Sequence, residues 1–111
     1  MAHKGVREFT GDELSGVALG QNGFKIISGV EVECGTTSGY ENIEYFIALK
    51  AIDVDSEVEA RSVTKGDDLT TNSGVYDGSS PVTLLNGDIV YGAFDKVEVA
   101  ASDYIIAYIG K

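Results

Sequence analysis

Few residues in this chain could do covalent chemistry. His3 is its one histidine and Cys34 its one cysteine. A Ser-His-Asp or Cys-His relay needs the imidazole held rigidly beside the nucleophile. His3, so near a terminus, is expected to be solvated instead. One Cys and one His cannot form the usual four-ligand zinc set. Cys34 follows Glu33 and has no basic neighbour in sequence. It therefore reads as a buried small hydrophobe rather than an activated thiolate, and as the sole cysteine it can form no intramolecular disulfide.

Carboxylates are the abundant ionisable groups, 18 Asp and Glu against 8 Lys and Arg. Asp53, Asp55 and Glu57 alternate and would place three carboxylates on one side of an extended chain. A helix-flanked calcium loop starting at Asp53 needs Gly at its sixth position and Glu at its twelfth. Val58 and Thr64 stand there. Paired-carboxylate hydrolysis needs two acids facing across a cleft, which spacing cannot locate. These acids, with Glu31, Glu33 and Glu59, are expected on the solvated faces of strands and turns, where like charges discourage edge-to-edge association. Neither GxGxxG nor a P-loop pattern occurs. The reading is of a protein that is not an enzyme and uses no metal and no cofactor.

Aromatic residues are the remaining candidates for recognition. Phe46, Tyr91, Phe94 and Tyr108 are expected to fill the core, and Tyr40, Tyr45, Tyr76 and Tyr104 to be partly exposed. Exposed tyrosine without basic neighbours suits protein–protein contact better than nucleic acid.

The elements that would position these residues are strands. Fourteen glycines against one proline, with frequent Val, Ile, Thr and Tyr, indicate tight turns between short strands. Alternation marks strands at Phe24–Ile27 and Gly29–Glu33, and again at Glu57–Val63 with Val58, Ala60 and Ser62 inward. Glu44–Ile52 is the most apolar run and reads as a central strand. Residues 65–80 are a long surface loop or a frayed hairpin by composition. Val82–Leu85 and Ile89–Phe94 flank Asn86-Gly87, a strong hairpin signal. Asp95–Val99, a turn at Ala101–Asp103 and Tyr104–Ile109 complete a final hairpin. The expected fold is all-β, a compact barrel or sandwich of six to seven short, mainly antiparallel strands, with residues 24–111 as the β domain. Residues 1–23 carry five glycines and read as an extended N-terminal arm, in which Thr10–Glu13 has capping-box spacing for one helical turn.

A net charge of −10 argues against nucleic acid, which needs clustered Lys and Arg, and against an anionic membrane surface. Residues 1–7 hold +2 through Lys4 and Arg7, so the rest holds −12. The single cysteine fits synthesis in a reducing cytoplasm. The first apolar stretch is broken by Arg7, Glu8, Asp12 and Glu13, unlike a signal peptide, and no apolar run nears the roughly 20 residues that span a bilayer.

The C-terminal third carries a resemblance. Leu85-Asn86-Gly87-Asp88-Ile89-Val90-Tyr91-Gly92-Ala93-Phe94, then Val97-Glu98-Val99, then Ser102-Asp103 and Ile105-Ile106-Ala107-Tyr108, resembles the ending of small structural proteins of tailed bacteriophages. Phe46–Ile52 and the opening Lys4–Gly11 suit the same type. Such proteins most resemble head-decoration, or cement, proteins. The resemblance implies a virion protein made in the host cytoplasm that binds the major capsid protein on the capsid exterior, as a homo-oligomer, with a trimer suited to a threefold site. It implies no catalytic residue. Lys4, Val6, Arg7, Phe9 and Leu14 are the expected interface residues of the arm, combining positive charge with apolar contact. Alternative readings are a tail or baseplate adaptor, a head-fibre base, or a carbohydrate-binding β module.

Overall fold

A computed structural model describes residues 22–111. The expected arm residues Lys4, Val6, Arg7, Phe9 and Leu14, and the helical turn expected at Thr10–Glu13, lie outside the described residues. Seven strands form in the segments expected to be extended: β1 (Phe24–Ile27), β2 (Glu31–Glu33), β3 (Phe46–Ala51), β4 (Ser56–Ser62), β5 (Val82–Leu84), β6 (Ile89–Val99) and β7 (Ile105–Ile109). Every pairing is antiparallel, in the order β1-β7-β3-β6-β4-β5, with β2 added to β6. The described chain is all-β, as expected.

The long strand β6 organises the sheet. Its first half, Ile89–Phe94, pairs with β3. Its second half pairs with β4 on one side and β2 on the other. The sheet therefore has two wings, β1-β7-β3-β6 and β2-β6-β4-β5. Register shifts fall beside Phe94 on both neighbours, at Phe46/Ala48 of β3 and at Arg61/Ser62 of β4. Such irregularities bend a strand and increase its twist, which lets one strand serve both wings. The two segments expected as separate strands, Ile89–Phe94 and Asp95–Val99, are thus one bent strand.

Two expected hairpins do not form. β5 pairs with β4 rather than with β6, so Asn86-Gly87 turns the chain without joining paired strands. Its turn is closed by Asp88 N–H donating to Leu85 O (2.8 Å), and Gly87 N–H caps Ala51 O (2.9 Å). Likewise β7 pairs with β1 and β3, not with β6. Local turn chemistry was read correctly, but another strand occupies the neighbouring place in each case.

Side-chain alternation fills the core with Ile27, Val32, Phe46, Leu49, Ala51, Val58, Ala60, Phe94, Val97, Val99, Ile105 and Ala107, all buried. Each large aliphatic or aromatic side chain fully buried contributes roughly 1.5–3 kcal/mol. Ser56 is also buried and is satisfied by donating its hydroxyl to Tyr104 O at 2.9 Å. The Phe94 ring folds back over Gly92, where a Cβ would lie 2.6 Å from Cζ; only glycine leaves room for it. Of the four aromatics expected in the core, Phe46 and Phe94 are there, and Tyr108 is half-buried. Tyr91 is 55% exposed, because it is on the face opposite Val90, the residue that packs against the core.

Phe94→Ala should cost roughly 3–5 kcal/mol of stability, whereas Tyr91→Ala should cost about 1 kcal/mol or less. Urea unfolding of both variants checks this, and equal losses would mean that Tyr91 is packed like a core residue.

Candidate interaction surfaces

Glu59, expected to be solvated, is fully buried. It does occupy the polar face of β4, but the connection from Val63 to Pro81 folds over that face. Its carboxylate accepts from Thr70 Oγ1 (2.7 Å), Asp77 N (3.0 Å) and Ser80 N (3.3 Å). Asp68 holds the other end of the same loop, accepting from Ser62 N (2.8 Å) and Tyr76 N (2.9 Å). Leu69 bridges back to Ala60 and packs against the core. The loop is therefore pinned, not frayed. Alternation found the face correctly; only the covering loop was illegible.

Glu31, Glu98 and Glu59 sit in register across β2, β6 and β4, and like charges directly opposite one another are destabilising. The next row, Glu33, Lys96 and Arg61, offsets them. Arg61 donates to both oxygens of Asp95 (2.9 and 3.3 Å) and to Glu33 Oε2 (2.9 Å), and these partners raise its pKa. Lys96 Nζ lies 3.8 Å from Glu31 and 5.5 Å from the centre of the Tyr76 ring. The Tyr76 hydroxyl donates to Glu31, and burial followed by that bond raises its pKa. Glu98 is raised as well, first by burial and then by Glu31, Glu59 and Asp77.

Asp53, Asp55 and Glu57 do not form a three-carboxylate face. Asp53 takes a left-handed conformation with φ +70°, Asp55 accepts from Asn86 N at 2.7 Å, and Glu57 is the first outward residue of β4. Among the described residues no group of three or more His, Cys, Asp or Glu is arranged to hold a metal. Cys34 is partly buried against the core. Burial, then Asp95 and Glu33, push its thiol up to about 11, which leaves it protonated at neutral pH.

Large apolar side chains are exposed together in two regions, the first of which also carries exposed Asp53, Asp55 and Asp88. One is an end of the body where three connections are tied together. Asn86 N–H donates to Asp55, Ile52 N–H to Tyr104 O (3.2 Å), and Glu57 N–H to Asp103 Oδ2 (2.9 Å). These pinned loops expose Val54, Leu85 and Tyr104. The other is the outward face of the β1-β7-β3-β6 wing. One register row there runs Phe24, Tyr108, Ala48, Tyr91, and the next runs Ile26, Ile106, Lys50, Ile89. Phe24, Ile26 and Tyr91 are each more than half exposed.

Glu59→Ala should lower stability by about 2 kcal/mol, the scale of hydrogen bonds to a charged acceptor. Hydrogen exchange should accelerate in residues 68–80 while β3 and β7 stay protected. Glu98 supplies a second expectation. Its raised folded pKa means the native state binds more protons than the unfolded chain just above the ordinary glutamate range. Its contribution to stability is therefore favourable at lower pH and is lost as pH rises through that folded value. Glu98→Gln should raise the melting temperature at pH 7 and flatten its pH dependence between pH 7 and the glutamate range; a variant less stable at pH 7 would contradict this.

Comparison with known protein families, with curated proteins and with solved structures finds no match for this chain, and its surfaces are read from their own geometry.

Proposed function

We propose that this protein is a structural component of a tailed-phage virion that binds the major capsid protein from outside and reinforces the head. The observation that carries the reading is the pinned loop end. Val54, Leu85 and Tyr104 are exposed there on backbone already fixed by hydrogen bonds between connections. Contact residues held in place before binding lose little conformational entropy on docking, which suits a protein whose task is to hold a shell. The resemblance of residues 85–108 to phage structural proteins is what supports the major capsid protein as the partner. In this reading Lys4, Val6, Arg7, Phe9 and Leu14 add a second contact, and several copies meet around a symmetric site of the shell. The body's acidity favours a basic capsid surface.

Co-sedimentation with undecorated capsids tests it. The combined Leu85→Asp and Tyr104→Ala variant should stay folded and lose at least tenfold in capsid affinity, the scale of a lost interface anchor. Binding as tight as that of the unaltered chain would sink the loop end as the contact. Absence of the protein from purified virions by mass spectrometry would sink the virion reading itself. Two exposed tyrosines, Tyr91 and Tyr104, favour a second reading as a carbohydrate-binding module, which glycan-array binding would support.

A further inference from the structure

The outward face of the β1-β7-β3-β6 wing exposes apolar side chains from several strands, Phe24 and Ile26 on β1 and Tyr91 on β6. Its two register rows, Phe24, Tyr108, Ala48, Tyr91 and Ile26, Ile106, Lys50, Ile89, contain no carboxylate, although the chain carries 18. Ala48 is fully buried yet stands outside the core cluster, between the in-register Tyr108 and Tyr91. Around it Phe24, Ile26 and Tyr91 remain more than half exposed. Contiguous apolar surface of this kind marks a contact.

We propose that this face is covered by the segment that immediately precedes it in the same chain, Leu14–Gln21, with Leu19 over β7 and Val17 over β6. Composition supports it first. Leu14-Ser15-Gly16-Val17-Ala18-Leu19-Gly20-Gln21 is free of charge, in a chain where nearly a quarter of residues are charged, so it brings no ion of its own to a face whose two rows carry a single charged residue, Lys50.

Geometry supports it next. The residues that follow the segment, Asn22 and Gly23, join the sheet at the edge of this wing. Gly23 O accepts from Ile109 N at 2.9 Å and Asn22 Nδ2 donates to Gly110 O at 3.0 Å. Gly23 itself has φ +86°, a left-handed conformation that redirects the chain where it meets β1. Strands lie about 4.8 Å apart, so β7 is one spacing from β1 and β6 about 14 Å away. Leu19 precedes Phe24 by five residues and Val17 by seven, a reach of up to about 17 and about 24 Å.

Mass action decides between this occupant and a competing one. A segment tethered that closely is present at an effective concentration on the order of millimolar, and a second acidic body would have to overcome mutual repulsion to take the same place. The inference is independent of the virion reading, because it concerns the protein free in solution.

Paramagnetic relaxation in the full chain tests it. A spin label is attached at Ser15→Cys with Cys34→Ala, and the labelled, nitrogen-15 protein is diluted into excess unlabelled chain. The amides of Ile106, Tyr108 and Tyr91 should broaden strongly, and those of Val82–Leu84 should not. Broadening seen only when label and isotope are on different molecules would assign the face to a second copy and overturn the proposal. No broadening in either sample would overturn it as well. A second measurement keeps the native cysteine. Val17→Asp with Leu19→Asp should raise the fluorescence of a hydrophobic dye several-fold with an unchanged circular dichroism spectrum, and unchanged dye binding would contradict the coverage.

Discussion

A buried backbone must pair all its polar groups, and β6 is where this chain meets that demand over the greatest length. Eleven consecutive extended residues serve three partner strands. This works only because the partners change at Phe94, where β3 gives way to β2 and where both flanking registers shift. The Phe94 ring fills the bend and Gly92 leaves it space. The two wings, their shared core and the directions of their outer faces all follow from that bend.

The wings then solve opposite problems. Around β2 and β4 the outward face is a row of glutamates whose mutual repulsion would favour strand separation. Lys96 and Arg61 in the adjacent row offset part of it. The connection from Val63 to Pro81 contributes the rest, bringing N–H and O–H donors to Glu59 and the Tyr76 hydroxyl to Glu31. A buried carboxylate is tolerable only when it is hydrogen-bonded, so the loop and Glu59 stabilise one another. Around β1 and β7 no such charge exists, and the face is apolar and left partly exposed by the described residues.

This division shapes the chemistry available to the molecule. The sole thiol is held protonated by burial beside Asp95 and Glu33. Glu59 holds a loop, Glu31 a tyrosine, and Glu33 and Asp95 an arginine. Facing outward are exposed apolar side chains, Val54, Leu85 and Tyr104 on pinned loops at one end, and aliphatic and aromatic rows on one wing.

Strand positions were legible in the sequence because alternation is a local property with a period of two. Val58 and Ala60 inward follow from it, whereas Phe46–Ala51 as a central strand follows from its run of apolar residues. Partner choice was not legible. Among the strands of the described residues, β4 and β5 are the one consecutive pair that meets, and they do so across residues 63–81. Asn86-Gly87 specifies a turn, yet which strand lies beside β6 is decided by the competition of all strands for its two edges. The sequence also marked Glu59 as facing away from the core, correctly. Whether an outward residue meets water depends on what folds over it, and a loop contributed by residues 68–80 decided that only in three dimensions. The sequence by itself thus determined the class of fold, the strand positions and the polar and apolar faces. Tertiary structure alone determined the pairings, the burial of Glu59 and the exposure of Tyr91, because those depend on residues far apart in the chain.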